Sequence, residues 1–166
     1  MNARTSLTPT QRAALLTHPA GWLALFFGAG LAPVAQGTVG SALAILPWWF
    51  MRDLAAPAWG LVLIVGFAIG LWACGESGRR IGVSDHRALV WDEVIGQWIA
   101  LLPALAAPWW AIVAGFALFR FFDVLKPWPI RWLDARVKGG IGVMLDDVVA
   151  GVFAAVILAV ALHFLA

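Results

Sequence analysis

The sequence contains no tyrosine and a single cysteine, and only 12% of its residues are charged. One cysteine excludes an internal disulfide and any cysteine-rich metal site. The three histidines, His18, His86 and His163, stand far apart and form neither a ligand cluster nor a nucleophile pair. The shortage of charge excludes more. Soluble domains are roughly half apolar and a quarter charged, whereas this chain of 166 residues is 63% hydrophobic. So short a chain has no core large enough to hide that surface, and a bilayer is the natural solvent for the excess. The net charge of +2 is divided among short basic clusters between apolar runs. Nothing forms the basic stripe that tracks a nucleic-acid backbone.

What the chain has in quantity is tryptophan, eleven in all, which suits anchors at the boundary between head groups and hydrocarbon. Thr8 and Pro9 predict a capped amphipathic helix near the N-terminus, and residues 1–18 read as a variable segment ahead of a single domain at 19–166. Apolar helices are expected over Thr38–Phe50, Ala58–Cys74, Trp91–Leu102, Trp109–Phe122 and Val143 to the C-terminus. Gly75–Arg87 and Asp123–Gly142 read as polar connections. A span needs about 20 residues, so the Ala58 and Val143 segments qualify and the other three look short. The expected fold is an all-α, polytopic membrane bundle of four or five spans, single-domain and without internal repeats. Connections bearing Arg79, Arg80 and Arg87, and Lys126, Arg131, Arg136 and Lys138, belong on the cytoplasmic side. The uncharged Pro103–Pro108 connection and the Arg52-Asp53 turn then alternate to the other side.

That topology gathers five acids on the cytoplasmic face: Asp92, Glu93, Asp123, Asp146 and Asp147. Carboxylates next to hydrocarbon usually pair, line a polar cavity or bind a cation. Without cysteine or clustered histidine, this set favours a hard, oxygen-seeking ion such as Mg²⁺. Ion pairing with Arg120 and Lys126, or capping of helix N-termini, is the plainer reading of any one acid. Arg120, Asp123 and Lys126 share a helical face if their helix continues that far. Lys126 to Arg131 then sets cations and Trp128 at the membrane surface, an arrangement suited to an anionic lipid head group. Gly37-Thr38-x-Gly40-Ser41 opens a helix, where backbone N–H groups and the dipole favour a phosphate; small residues at a helix–helix contact explain it too. Cys74 and Arg80 have the Cys-x5-Arg spacing of cysteine phosphatases, but Cys74 ends an apolar span, where the helix dipole opposes a thiolate. His86, beside Asp85 on the same face as the acids, admits a supporting role but reads more simply as a solvated loop histidine.

Four stretches in register resemble bacterial phosphatidylglycerophosphatase A. They are Gly28-x-Gly30-Leu31-x-Pro33 with Gly37-Thr38-x-Gly40-Ser41; Val90-Trp91-Asp92-Glu93-x-x-Gly96; Arg120-x-x-Asp123-x-x-Lys126-Pro127-Trp128-Pro129-Ile130-Arg131; and Gly139-Gly140-x-Gly142-x-Met144-x-Asp146-Asp147-x-x-Ala150-Gly151. The resemblance implies Mg²⁺-dependent hydrolysis of the terminal phosphate of phosphatidylglycerophosphate, giving phosphatidylglycerol and phosphate at the inner membrane of a bacterium. On that basis Glu93, Asp123, Asp146 and Asp147 are expected to hold Mg²⁺, with Asp92 a ligand or base. Arg120 and Lys126 would steady phosphate charge, and Gly37, Thr38, Gly40, Ser41 and Arg131 would help bind substrate. Two other classes compete. A small ion or proton transporter should carry its acids near the midplane, and a CDP-alcohol phosphotransferase should carry an Asp-Gly-x-x-Ala-Arg signature, which is absent.

Overall fold

In the computed structural model, which describes residues 6–137 and 139–165, every regular element is helical. Lys138, one of the expected inner-face cations, lies outside the described residues, as do residues 1–5 of the N-terminal segment and Ala166. Helix α1 (Pro9–Leu16) starts as the sequence predicts. The Thr8 hydroxyl accepts from the Gln11 amide, and the Gln11 side chain accepts from the Thr8 amide. Gln11 also donates to the Ile81 carbonyl at 2.9 Å, and Leu15 is fully buried, so this segment is docked on the rest of the chain. Short α2 (Pro19–Ala24) passes into a 3₁₀ stretch over Phe26–Leu31.

Helices α3 (Gln36–Met51), α4 (Ala56–Ile81), α5 (Trp91–Ala100), α6 (Trp109–Leu125), α7 (Ile130–Arg136) and α8 (Gly139–Leu165) follow. Two of them, α4 with 26 residues and α8 with 27, are long and apolar enough to cross a membrane. At 1.5 Å per residue each reaches roughly 40 Å. Both are longer than the sequence predicts. Helix α4 runs on through Gly75–Arg80 because Glu76 accepts from Arg79 and Arg80 along the helix surface. Helix α8 starts at Gly139, whose φ of +75° suits glycine. Asp146 and Asp147 therefore sit about two turns inside α8. Helix α7 lies in what the sequence reading left as connection.

Short α5 sits at the centre, packed against α3, α4, α6 and α8. Its tryptophans tie it in place: Trp91 Nε1–H donates to the Gly66 carbonyl at 2.9 Å, and Trp98 Nε1–H to the Ala44 carbonyl at 2.8 Å. Trp59 meets Trp98 edge to face. Tryptophan thus has two uses. Trp48, Trp59, Trp91 and Trp98 fill the core, while Trp22, Trp49, Trp72, Trp109, Trp128 and Trp132 are exposed. Apolar side chains are also exposed along α3, α4, α6 and α8, among them Leu46, Ile64, Val113 and Val156.

Candidate active site

A cavity of about 810 Å³ opens where α3, α5 and α8 begin and where α4 and α6 finish. The five acids that the sequence reading placed on one face, Asp92, Glu93, Asp123, Asp146 and Asp147, all line this cavity. Arg120 and Lys126 line it with them.

The acids divide into three sets. Asp92, Glu93 and Asp147 each bring a carboxylate oxygen within 4.8 Å of the other two. Asp92 Oδ1 and Glu93 Oε2 are buried without a hydrogen-bond partner among the described residues. Backbone contact brings these side chains together. Gly96 follows Asp92 by one turn on α5, and Gly151 follows Asp147 by one turn on α8. A Cβ on Gly151 would stand 2.4 Å from the Gly96 carbonyl oxygen, and one on Gly96 would stand 2.7 Å from the Asp147 carbonyl oxygen. Only glycine permits so close an approach, and the acids one turn nearer the helix starts converge as a result.

Asp123 belongs to Arg120, whose Nη1 lies 2.5 Å from Asp123 Oδ2 and 4.0 Å from Glu93 Oε1. Asp146 belongs to Lys126, which also donates to Asp134 Oδ1 at 3.0 Å. Lys126 does not continue the Arg120–Asp123 helical face. Helix α6 ends at Leu125, and Lys126 adopts a left-handed conformation with φ of 43°, which turns the chain toward α7. Burial works against charge on Lys126, but the carboxylates of Asp146 and Asp134 prevail and hold its ammonium well above the ordinary lysine range. The site thus contains one acid trio and two clamped cations.

Among the expected phosphate-binding residues, Gly37 lines the cavity; Thr38, Gly40 and Ser41 do not. Helix α3 starts at Gln36, so Gly37 and Ser41, one turn apart, face inward while Thr38 is exposed. Gly40 packs on Val90. Ser41 is fully buried, donates to the Gly37 carbonyl at 2.8 Å and accepts from Arg120 Nη1 at 3.3 Å. Arg131 is exposed on α7, away from the cavity lining. Cys74 is fully buried inside α4, and residues 74–80 are continuous helix. The Cys-x5-Arg spacing therefore makes no phosphate-cradling loop.

The sequence reading passed over Asp134 and gave His86 only a secondary, supporting role beside a solvated one. Asp134 sits on α7, whose pattern of Ile130 and Leu133 after two prolines was a legible helix start. His86 is 2% exposed and not solvated. Its Nδ1 accepts the Ala88 N–H at 3.1 Å, while Nε2 is buried without a partner among the described residues. Burial lowers its pKa, outweighing the opposing pull of Asp85. The apolar run Ala88-Leu89-Val90 was the available signal.

Acids able to gather a divalent ion, facing fixed cations within one cavity, are the equipment of an enzyme that handles phosphoryl groups. A family model described as phosphatidylglycerophosphatase A matches residues 22–162. Phosphatidylglycerophosphatase A of Escherichia coli K12 is 46% identical over 143 residues, covering 86% of this chain and 83% of that protein. The Haemophilus influenzae protein of the same name is 39% identical over 154 residues, covering 92% and 94%. A relative from Bacteroides thetaiotaomicron, provisionally described as a phosphatidylinositol-3-phosphatase, is 41% identical over 146 residues, covering 81% and 88%. No solved structure matches. The chain belongs to the phosphatidylglycerophosphatase A family, and it is accordingly a phosphatase, a phosphoric monoester hydrolase.

Proposed function

We propose that this enzyme removes the terminal phosphate of phosphatidylglycerophosphate, releasing phosphatidylglycerol and inorganic phosphate, and that it uses Mg²⁺. The observation carrying this reading is the convergence of the Asp92, Glu93 and Asp147 oxygens in a cavity that also holds Arg120 and Lys126. The donor set fits a hard cation. It is all carboxylate, and two of its buried oxygens lack partners, which is costly for charged groups unless a cation or proton joins them. Mg²⁺ takes oxygen ligands at 2.0–2.1 Å and keeps positions for phosphate oxygens. Asp92, Glu93 and Asp147 are its first ligands, with Asp123 and Asp146 adjoining. When bound, the ion supplies neutralisation of phosphate charge and acidification of a coordinated water.

The chain's own groups supply the rest. Arg120, held by Asp123 and Ser41, presents a fixed guanidinium to phosphate oxygens. Lys126 presents an ammonium held between Asp134 and Asp146. Because both cations are clamped before substrate arrives, little reorganisation is needed as charge builds on the phosphate.

The exposed apolar faces of α3, α6, α4 and α8 support a polytopic bundle around α5, with residues 19–166 as its membrane-embedded domain and α1 of the preceding segment docked against it. Arg87 at the cavity, with Arg79, Arg80, Arg131 and Arg136 on the connections and helix ends flanking it in sequence, supports a cytoplasmic mouth in a bacterial inner membrane. The test is phosphate release from phosphatidylglycerophosphate by the detergent-solubilised enzyme, with Mg²⁺ or EDTA, for wild type and Asp147→Asn. Release that needs Mg²⁺ and falls at least 100-fold in the variant is expected. Release indifferent to EDTA would refute the metal assignment.

A further inference from the structure

We infer that His86, seconded by Arg87, forms a second anion subsite that receives the phosphodiester of the lipid head group while the terminal phosphate occupies the acid trio. This rests on the substrate reading above. The argument starts from the imidazole. His86 Nδ1 accepts the Ala88 N–H, so in the neutral ring the proton resides on Nε2, which is then a donor. That Nε2–H is buried without an acceptor among the described residues, on a side chain 2% exposed that lines the cavity. A buried donor left unmet costs about 1–3 kcal/mol; a ligand oxygen meets it.

The substrate's chemistry says which oxygen. A phosphatidylglycerophosphate head group carries two phosphates across a glycerol, and one set of ligands serves one phosphate. The trio, Arg120 and Lys126 come from α5, α6 and α8 and the turn after α6, whereas His86 and Arg87 come from the loop between α4 and α5. A cavity of about 810 Å³ has room for both phosphates and the glycerol between them. Arg87 is exposed and lines the same cavity, adding positive charge toward solvent, where the exposed Asp85 carboxylate is screened. Relatives described by different lipid head groups fit an arrangement in which the hydrolytic centre and the head-group contacts are separate.

The test uses two competing ligands on the intact enzyme. Glycerophosphoglycerol, the deacylated diester, probes the second subsite, and inorganic phosphate probes the first. In His86→Phe the inhibition constant for the diester should rise about 10- to 100-fold, with that for phosphate changed less than about threefold. KM for the lipid should rise more than kcat falls. His86→Gln, which keeps an acceptor and a donor, should recover most of the loss. Arg87→Gln alters only an exposed side chain and should raise the diester constant selectively even if the phenylalanine variant fails to fold. Equal weakening of both ligands, or no weakening of the diester in the folded variants, overturns the subsite. Wild type that releases no phosphate from the lipid removes the substrate reading itself, and this inference with it.

Discussion

Replacing Gly37 by alanine would place a Cβ 2.0 Å from Glu93 Oε1 and 3.1 Å from Arg120 Nη1. Ordinary contact begins at 3.4 Å, so the carboxylate oxygen must retreat by about 1.4 Å, the difference between 3.4 and 2.0. Glu93 has a flexible side chain and can make that movement, so the fold survives. Alanine is also the better helix former by up to about 1 kcal/mol, which favours the variant's stability. The Mg²⁺ site proposed at Glu93 would have no such latitude. Ligand distances tolerate about 0.2 Å, and disturbing ligand orientation typically weakens metal affinity 10- to 100-fold, or about 1.4–2.7 kcal/mol. The measurement is phosphate release against Mg²⁺ concentration, beside thermal unfolding in the same detergent. The half-activating Mg²⁺ concentration should rise 10- to 100-fold with the unfolding midpoint unchanged or higher. Gly60→Ala is the control, since a Cβ there meets nothing within 4 Å. An unchanged Mg²⁺ requirement in Gly37→Ala would show that Glu93 is not a ligand.

Gly151→Ala should behave differently, because its Cβ would meet the Gly96 carbonyl at 2.4 Å and backbone cannot swing aside. Overpacking of this kind costs about 1–3 kcal/mol, so unfolding midpoint and activity should fall together. Cys74→Ala should keep at least half of wild-type phosphate release; a loss beyond 100-fold would revive a thiolate mechanism. Protonating His86 should destabilise the fold. Its folded pKa is lowered by burial, so its contribution is complete above the unfolded value of about 6.5 and is lost as pH falls through the folded one. Unfolding midpoints measured from pH 7.5 to 5 should therefore decline less steeply in His86→Gln than in wild type.

Much of this was legible in the sequence because successive antiparallel helices bring alternate connections to the same end. Once the arginine-bearing connections fix one side, Asp92, Glu93, Asp123, Asp146 and Asp147 must share it, and the cavity lining shows that they do. Partner choice among those acids was not legible. Whether Asp123 joins the trio or pairs with Arg120 depends on rotations of about 100° per residue on different helices, and on the left-handed residue at Lys126 that carries it off the α6 face. Thr38 failed as a cavity residue for a similar reason, because α3 begins two residues before it. Two helix ends misled in the same direction. Glu76 and its arginines extend α4, and Gly139 starts α8, where hydropathy alone saw polar loop. The burial of His86 follows from packing of the loop before α5, to which the apolar run Ala88-Leu89-Val90 was a local pointer.

Helix α8 follows all the other described elements, yet it carries Asp147 of the trio and Asp146 of the lysine clamp. During synthesis Asp92 and Glu93 leave the ribosome long before their third partner. The gap from Glu93 to Asp147 includes all of α6 and α7. A chain cut before α8 therefore has two acids of the trio and lacks the Asp146 partner of Lys126, and on the proposed reading it should release no phosphate. On that reading the site is complete only once α8 packs with its Gly151 against Gly96, so activity reports on the assembly of the whole bundle.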